Sequence, residues 1–423
     1  MNKLISKLPL LTAVVFCIWI SIQIVILCTY WDMPNHDDAA SYQELAQECV
    51  DKGTWYPGAH SVNEPFIFGP AYINLLVLLH HLFDSFYVVR LLNLILNVLM
   101  LFEVFLLTKR LFDKNTGYIA ALLYMFTFSN LYLPIAMLTD LPFAFLLLTA
   151  LLLCLEKKLF LLILAGVLMA LANWFRPLAL VFLIAVIVWF VVDKRKWLHY
   201  AALIVPLLFT VFVIGQSAKA RTGYFVYQSV SGGYNLAMSS FDKANGLVNF
   251  NGFGDPDNYI YLTRPITFDY MERDSFLKKA AVRWIIENPG KYVSQLPLKL
   301  GALYCEDTWT ERVKPDMGFR KILADAKENK LVLIEVGAEL FLKSLIYYGI
   351  LLFFCYYLWT ERRTFLQQRN IFLLIPILGT AITLVFVITS RYHYPYLFMI
   401  TVYAAAGLLQ FVNKHSGQKA IKQ

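Results

Sequence analysis

The sequence is dominated by apolar runs long enough to cross a lipid bilayer, and these runs restrict the chain to a membrane fold. A spanning helix needs about 20 mainly apolar residues. Charged residues make up 16% of the chain, against roughly a quarter in soluble domains. We therefore predict an all-α polytopic membrane protein with about ten transmembrane helices. The predicted spans are 8–30, 88–108, 117–133, 141–155, 159–174, 177–192, 198–215, 334–359, 371–389 and 394–412.

One further apolar run, residues 66–83, decides the predicted topology. If it spans the membrane, the basic clusters at 109–114, 157–158 and 194–196 all fall outside. That arrangement opposes the excess of Lys and Arg that cytoplasmic loops carry. If the run lies in the interface or re-enters, all three clusters fall inside. We therefore predict a juxtamembrane helix here, with both chain termini in the cytoplasm.

This topology predicts three parts. Residues 1–215 form an N-terminal transmembrane module with a first outer loop at 31–87. Residues 216–333 form a larger outer segment with amphipathic helices, and residues 334–423 form the C-terminal transmembrane helices. The first run is long enough to span and no small-residue cleavage site follows it, so it is expected to remain as an anchor. The cytoplasmic loops are short, which predicts a functional site on the outer face.

The formal net charge of +8 comes from short clusters between apolar runs. That is the positive-inside pattern, and no nucleic-acid partner is predicted from it. The six cysteines show no CxxC spacing. Cys49 and Cys305 lie in predicted outer segments, where a disulfide is chemically allowed, but nothing in the sequence requires one.

The first outer loop carries an acidic pair, Asp37 and Asp38, at the start of a predicted helix over 37–50. Carboxylates are favoured there by the helix dipole, and capping is the commoner reason for an acidic residue at that position. The alternative is a general base that faces a cavity at the membrane surface. The two interpretations are compatible for different members of the pair.

Four further charged residues lie at outer ends of predicted spans. Asp140 begins the fourth span, where it is either a cap or a functional carboxylate, since an acidic residue at a membrane edge needs water or a partner. Arg176 ends the fifth span, and Arg391 with His393 precedes the last. Three interpretations are open for these basic residues: snorkelling to the interface, an interfacial belt, and phosphate binding, which suits guanidinium groups. Arg90 opens the second span on the same face.

The second outer segment contains a stretch at 221–254 that is rich in Gly, Ser, Asn and aromatic residues. This is loop composition, and it also suits contact with a sugar. Residues 274–304 are amphipathic and are predicted to lie on the membrane surface. The sequence contains no nucleotide-binding or hydrolase motif. His36 and His60 with the acidic pair match no defined metal spacing, so no metal ligands are predicted.

Together these residues resemble the GT-C superfamily of membrane glycosyltransferases, in the branch of the protein O-mannosyltransferases and aminoarabinose transferases. No single motif is specific, and the resemblance rests on the order of motifs along nearly the whole chain. The matching positions are Asp38, Tyr42, Leu45-Ala46, Gly53-Thr-Trp-Tyr, 64–72, 90–93, 109–112, Thr139-Asp140-Leu-Pro, Arg176-Pro177, 280–289 and Arg391-Tyr-His-Tyr-Pro.

The resemblance implies inverting transfer of a sugar from a polyprenyl-phosphate donor to an acceptor hydroxyl of a lipid, polysaccharide or protein. Asp38 would be the general base, and Asp140 would orient the acceptor or help position that base. Donor-phosphate contacts are expected from Arg176, Arg391, Arg90 and His393. Substrate contacts are expected from Asp37, Tyr42, Glu64, Tyr234 and Asn235. We expect the protein in a bacterial inner membrane among membrane lipids, with its site facing the periplasm.

Two features leave alternatives open. The aminoarabinose branch has a Lys before its Pro-Pro where this chain has Asn63-Glu64-Pro65-Phe66, so the donor is not fixed, and participation of a divalent cation is also undecided. A lipid-linked sugar flippase would need ionisable residues within spans, for which Glu103 and Glu335 are the best candidates, and paired broken helices in related halves. A polysaccharide polymerase is the second alternative.

Overall fold

The computed structural model describes residues 6–58, 68–261, 270–307 and 331–415. Every regular element in these residues is helical, apart from an isolated parallel bridge between Leu247 and Ile388. The predicted all-α polytopic fold is confirmed.

Each predicted span corresponds to one helix or to a pair of helices. These are α1 (Leu8–Thr29), α4 (Val88–Leu111), α5 (Lys114–Phe126) with α6 (Ser129–Tyr132), α7 (Asp140–Cys154), α8 (Leu159–Phe175), α9 (Ala179–Val192), α10 (Trp197–Thr222), α15 (Leu331–Glu361), α16 (Leu374–Thr383) and α17 (Tyr394–His415). The outer segments contain α2 (Asp37–Asp51), α3 (Pro70–Phe83), α11 (Gly232–Ala237), α12 (Tyr270–Glu287), α13 (Pro289–Ser294) and α14 (Leu296–Tyr304).

Five helical stretches in the described residues are long and apolar enough to cross a membrane: Leu8–Thr29, Val88–Leu111, Trp197–Thr222, Phe341–Glu361 and Ser390–His415. The bent pair that begins with α5 makes a sixth if it is counted as one span. Helices α7, α8 and α9 are apolar but shorter. The chain is therefore a multi-pass membrane protein.

The third predicted span is broken, although the sequence predicted a continuous helix over 117–133. The chain turns by 68° between α5 and the helical turns that follow it. A buried amide compensates for the backbone bonds lost at the break. Asn130 donates to the Tyr124 carbonyl at 2.9 Å and accepts from the Tyr394 hydroxyl at 3.0 Å, while its own carbonyl accepts from Asn97 at 2.6 Å and Gln23 at 3.0 Å. The break is thus held by three neighbouring helices.

The juxtamembrane helix α3 packs against α2 and against the end of α8. Asn74 of α3 pairs with the backbone of Tyr56 through two hydrogen bonds of 2.8 and 2.7 Å. Gly69, just before α3, lies so close to α8 that an added Cβ would be 2.8 Å from the Phe175 carbonyl oxygen. The first outer loop is therefore fastened to the outer end of the fifth span.

The second outer segment has a small apolar core of its own between α11 and α12. It also holds the connector 384–388, which leads from α16 to the last span. The amides of Val387 and Ile388 donate to the carbonyls of Asn235 and Gly246 at 3.3 and 3.2 Å. The Tyr292 hydroxyl donates to the Val385 carbonyl at 2.7 Å. The outer segment therefore fixes the backbone that precedes Arg391.

Replacing Asn130 with Leu should reduce the free energy of unfolding by about 1–3 kcal/mol, because it removes the side-chain hydrogen bonds to the buried Tyr124 carbonyl and the buried Tyr394 hydroxyl. Unfolding of the purified protein by SDS in mixed micelles would measure it. Thr210→Val is the control, since Thr210 bonds only to the Pro206 carbonyl of its own helix. Equal stability of the two variants would contradict a stabilising role for the amide at the break.

Candidate functional site

Arg391 lies at the centre of the candidate site. It belongs to a 3-10 turn, Ser390–His393, between the clamped connector and α17. Its side chain is 5% exposed. The guanidinium reaches Asp140 Oδ2 through Nε at 2.9 Å and Nη2 at 2.8 Å, and Asp38 Oδ2 through Nη1 at 3.0 Å. One cation from the last span therefore joins carboxylates of the first outer loop and the fourth span.

Asp140 is the fully buried carboxylate of the site and the first residue of α7. Besides Arg391 it accepts from Arg176, whose Nη1 and Nη2 lie 3.1 and 3.2 Å from its two oxygens. Arg176 Nε donates to the Thr139 hydroxyl at 2.7 Å. A buried charge is tolerated only when it is well paired, and the helix N-terminus adds a favourable dipole. Asp140 thus fixes both guanidinium groups.

Asp38 is the open end of this series of ion pairs. Its side chain is 46% exposed, whereas the other three members are largely or fully buried. The residue that caps α2 is His36, and its side chain makes no cap hydrogen bond. Asp37 and Asp38 both lie in the first turn, and Asp37 is exposed with a positive φ of 51°. Asp38 therefore combines a partner in the site with access to solvent.

Tyr42 lies one helical turn after Asp38 and packs beneath it. Its ring makes edge contacts with Phe68 and Tyr72, at centroid distances of 5.0 and 5.3 Å. Burial and, next, the nearby Asp38 carboxylate raise the pKa of Tyr42 to about 12. The hydroxyl is therefore neutral at ordinary pH, and the ring supports the first turn of α2 on α3.

The structure brings together four predicted residues that are far apart in sequence: Asp38, Asp140, Arg176 and Arg391. They come from the first outer loop and from the ends of three predicted spans, all on the predicted outer face. The two acids and two guanidinium groups balance in charge. An anionic ligand at this site would therefore compete with a carboxylate for a guanidinium group.

Arg90 and His393 lie apart from this cluster. Arg90 is fully buried, and its guanidinium donates to carbonyls of the chain between α1 and α2. His393 is also fully buried; its Nδ1 lies 2.8 Å from the Leu303 carbonyl and its Nε2 3.3 Å from the Tyr347 hydroxyl. The donor-phosphate contacts predicted for these two side chains have no support in their geometry.

The remaining predicted contacts lie in the outer segments. Tyr234 of α11 stacks on Phe253 with a centroid distance of 4.9 Å, and the Arg273 guanidinium carbon lies 5.1 Å from its ring centroid. Asn235 holds the connector through its backbone carbonyl. Glu64 lies outside the described residues. Substrate contact by these residues stays a prediction.

Two acidic residues near the site were missed in the sequence. The Ser390 hydroxyl, next to Arg391, donates to Glu306 Oε1 at 2.8 Å. Buried Asp307 accepts from the amide and hydroxyl of Ser129 at 2.9 and 2.8 Å, and burial raises the pKa of its carboxyl. The adjacent acids after an apolar helix were the available signal. They fasten the end of α14 to the broken span and to the start of the last span.

Lys299 is a further buried cation that sequence reasoning missed. Its Nζ donates to the Leu384 carbonyl at 3.2 Å and lies 4.9 Å from the centroid of the Tyr292 ring. Burial lowers the pKa of Lys299 to about 8. The ammonium group closes the C-terminal end of α16, where the helix dipole favours a cation. It is a second fastening of the connector that carries Arg391.

The described residues contain no group of three or more side chains suited to hold a metal ion. In the ion-pair series both Asp140 oxygens and Asp38 Oδ2 face guanidinium groups. Within the spans, Glu103 accepts from the Thr149 hydroxyl at 2.6 Å, and the side chain of Glu335 lies outside the described part. No disulfide joins buried Cys49 to exposed Cys305.

Comparison with known proteins gives one family. Residues 65–215 match the family described as dolichyl-phosphate-mannose-protein mannosyltransferase. The match runs from α3 into α10 and includes Asp140 and Arg176. A comparison with curated protein sequences finds no significant match.

Solved structures are similar to the chain at low sequence identity. The apo oligosaccharyltransferase of Archaeoglobus fulgidus matches with a TM-score of 0.50 and 13% identity over 97% of this chain and 53% of that one. The same enzyme in complex with Zn and sulfate gives 0.48 and 18%, over 95% and 49%. ArnT from Cupriavidus metallidurans, bound to undecaprenyl phosphate, gives 0.42 and 9%, over 95% and 79%.

The chain spans about half the length of the archaeal enzyme that it matches. The match to the apo form supports the fold. The resemblance to GT-C membrane glycosyltransferases that the sequence predicted is confirmed by the family match together with this all-helical fold.

Replacing Asp140 with Asn should cost about 3–5 kcal/mol of stability, because it leaves two buried guanidinium groups facing a neutral amide. Glu156→Gln is the matched control. Glu156 pairs with Arg110 at 2.6 Å, both side chains are well exposed, and such a pair contributes only about 0–1 kcal/mol. SDS unfolding measures both variants, and a loss in Asp140→Asn no larger than in the control would show that the cluster is not a tightly coupled buried network.

Proposed function

We propose that this GT-C-like membrane protein is an inverting glycosyltransferase that moves a sugar from a polyprenyl-phosphate donor to an acceptor hydroxyl at the outer membrane face. The observation that carries the proposal is the series of ion pairs Asp38–Arg391–Asp140–Arg176. It places an accessible carboxylate beside two guanidinium groups at the ends of apolar helices. Transfer of a sugar from a lipid phosphate needs both a carboxylate and cationic groups, close to the membrane surface.

The two guanidinium groups suit the donor phosphate. A planar guanidinium matches phosphate oxygens with two parallel hydrogen bonds. Arg391 and Arg176 are both held on Asp140, so they need little reorganisation when charge develops on the leaving group. Electrostatic stabilisation by such fixed groups is commonly the largest contribution to catalysis. Asp140 in this proposal is a positioning residue, which keeps the two cations together without reaching the substrate.

Asp38 would act as the general base. It takes the proton of the acceptor hydroxyl while the acceptor oxygen forms a bond to the anomeric carbon of the sugar. The bond from that carbon to the donor phosphate breaks, and its electron pair leaves with polyprenyl phosphate towards Arg391 and Arg176. Attack opposite the leaving group inverts the anomeric configuration.

Location at the outer face of a bacterial inner membrane is supported by the opposite end of the helix bundle. There Arg110 pairs with Glu156, and Arg195 donates to the carbonyls of Glu156 and Leu155 at 2.5 and 2.9 Å. These basic residues belong to the clusters that the positive-inside rule assigns to the cytoplasm. Asp140 is the first residue of α7 and Arg176 directly follows α8, so the ion pairs lie at the other end of these two helices.

In the same proposal the acceptor approaches from the outer loops. Tyr234, Asn235, Asp37, Tyr42 and Glu64 keep the substrate contacts predicted from the sequence. Of these, Tyr42 lies close enough to the ion pairs for the Asp38 carboxylate to contribute to the raised pKa of its hydroxyl, after burial. The acceptor supplies a hydroxyl of a lipid, a polysaccharide or a protein.

Replacing Asp38 with Asn should lower turnover by about 10²–10⁴-fold, since the amide keeps the shape and cannot take the proton. The assay is release of radiolabelled sugar or free lipid phosphate from a panel of polyprenyl-phosphate sugars by protein in nanodiscs. Asp51→Asn, at the far end of the same helix, should retain wild-type turnover.

Full turnover by Asp38→Asn would discard the base assignment and keep the enzyme. If wild-type protein cleaves no donor but moves lipid-linked sugar across liposomes, the flippase alternative replaces the transferase.

Asp38→Asn should also bind polyprenyl phosphate about fivefold more tightly, because the phosphate no longer competes with a carboxylate for Arg391. The factor corresponds to removing one partly exposed ion pair of about 1 kcal/mol. Binding of undecaprenyl phosphate to the purified variants measures the effect, with Asp51→Asn again as the control. Unchanged or weaker binding would mean that the phosphate does not displace Asp38 from Arg391.

A further inference from the structure

We infer that Arg90 is a positioning residue for Asp38, which acts by holding the link between α1 and α2 in one shape. This inference rests on the proposed function, because it concerns the position of Asp38, the proposed general base. It replaces the donor-phosphate contact that the sequence predicted for Arg90.

The guanidinium of Arg90 is surrounded by oxygen acceptors from one short piece of chain. Nη1 donates to the carbonyls of Tyr30, at 2.6 Å, and Trp31. Nη2 donates to the carbonyl of Met33 at 2.7 Å and to Asn35 Oδ1 at 3.1 Å. The side chain is fully buried. Both terminal nitrogens are therefore occupied, and a phosphate could reach them only if the link were pulled away.

These acceptors lie in a stretch that has no regular helix. Helix α1 ends at Thr29 and α2 begins at Asp37, and within the link the Tyr30 carbonyl also accepts from the Met33 amide at 3.3 Å. Carbonyls that water cannot reach are costly without partners, and Arg90 supplies donors to three carbonyls of this stretch. Among the described residues no carboxylate lies within ion-pair distance of Arg90. Arg90 therefore holds the backbone of the link in shape. The rigid, forked guanidinium of arginine suits this role, and the ammonium group of lysine does not.

The link is joined directly to the helix that carries the base. Asn35, which accepts from Arg90, donates to Gln43 Oε1 of α2 at 2.5 Å. Asp38 lies three residues after Asn35, in the first turn of the same helix. A change in the link therefore moves that turn. A displacement of about 1 Å at a reacting group can cost about 10²-fold in rate.

The test compares Arg90→Lys with Arg195→Lys. Arg195 is the matched control, because it is also a buried arginine that donates to two backbone carbonyls, at the predicted cytoplasmic end. Arg90→Lys should lower kcat at least tenfold and leave the donor KM and the Kd for undecaprenyl phosphate within twofold of wild type. Arg195→Lys should lose comparable thermal stability with unchanged kcat and KM in its folded fraction.

A double variant tests whether Arg90 acts through Asp38. Groups that act as a unit are not additive, so Arg90→Lys added to Asp38→Asn should cause no further loss of the residual rate. A further loss in that background would overturn the inference. A raised donor KM or weakened undecaprenyl phosphate binding in Arg90→Lys, with kcat retained, would restore the phosphate contact and also overturn it.

Two outcomes separate this inference from the proposed function. If Arg90→Lys does not fold, Asn35→Ala leaves the three carbonyl bonds of Arg90, removes the bonds of Asn35 to Arg90 and Gln43, and should show the same loss of kcat without a change in donor KM. Wild-type kcat in Asn35→Ala would overturn the inference. If instead Asp38→Asn retains full turnover, the proposed base fails whatever the Arg90 variants show.

Discussion

The buried carboxylate of Asp140 is the interaction on which the candidate site depends. Two guanidinium groups share it, one from the end of the fifth span and one from the start of the last. Without this carboxylate two cations would repel each other in a region of low dielectric, where such repulsion is strong. With it, both guanidinium groups stay on one carboxylate, as the proposed phosphate site requires. The accessible acid, Asp38, is attached to this pair through Arg391 alone.

Much of the surrounding structure holds these few side chains in place. The second outer segment clamps the connector before Arg391 through backbone bonds, through Tyr292 and through Lys299. On the other side, Arg90 holds the chain that leads to Asp38. The site thus combines two guanidinium groups fixed at the ends of the spans with an acid in the first outer loop. Arg90 fixes the shape of the chain that precedes this acid. This arrangement suits the proposed reaction, in which fixed groups hold both the phosphate and the proton acceptor.

The sequence predicted the helices well because hydropathy reports directly on burial in lipid: the run 8–30 became Leu8–Thr29, and 159–174 became Leu159–Phe175. It also identified the four ion-pair residues, since carboxylates and isolated arginines at the outer ends of apolar runs are not explained by the positive-inside pattern. It missed the break before Asn130, because the apolar pattern continues through it. Arg90 and Arg391 looked alike as outer-face arginines. Only packing shows that one faces carbonyls and the other carboxylates, since those partners lie 55 or more residues away.

The order of the four ion-pair residues along the chain has a consequence for biosynthesis. Asp38 emerges first and Asp140 next, and Arg176 follows within one helical hairpin, so the buried acid gains a counter-ion early. Arg391 comes only with the final span. Until that span is in place, Asp38 lacks its ion pair with Arg391, and Asp140 faces the Arg176 guanidinium alone of the two. The four charged groups of the site therefore come together late, when α17 packs against α7.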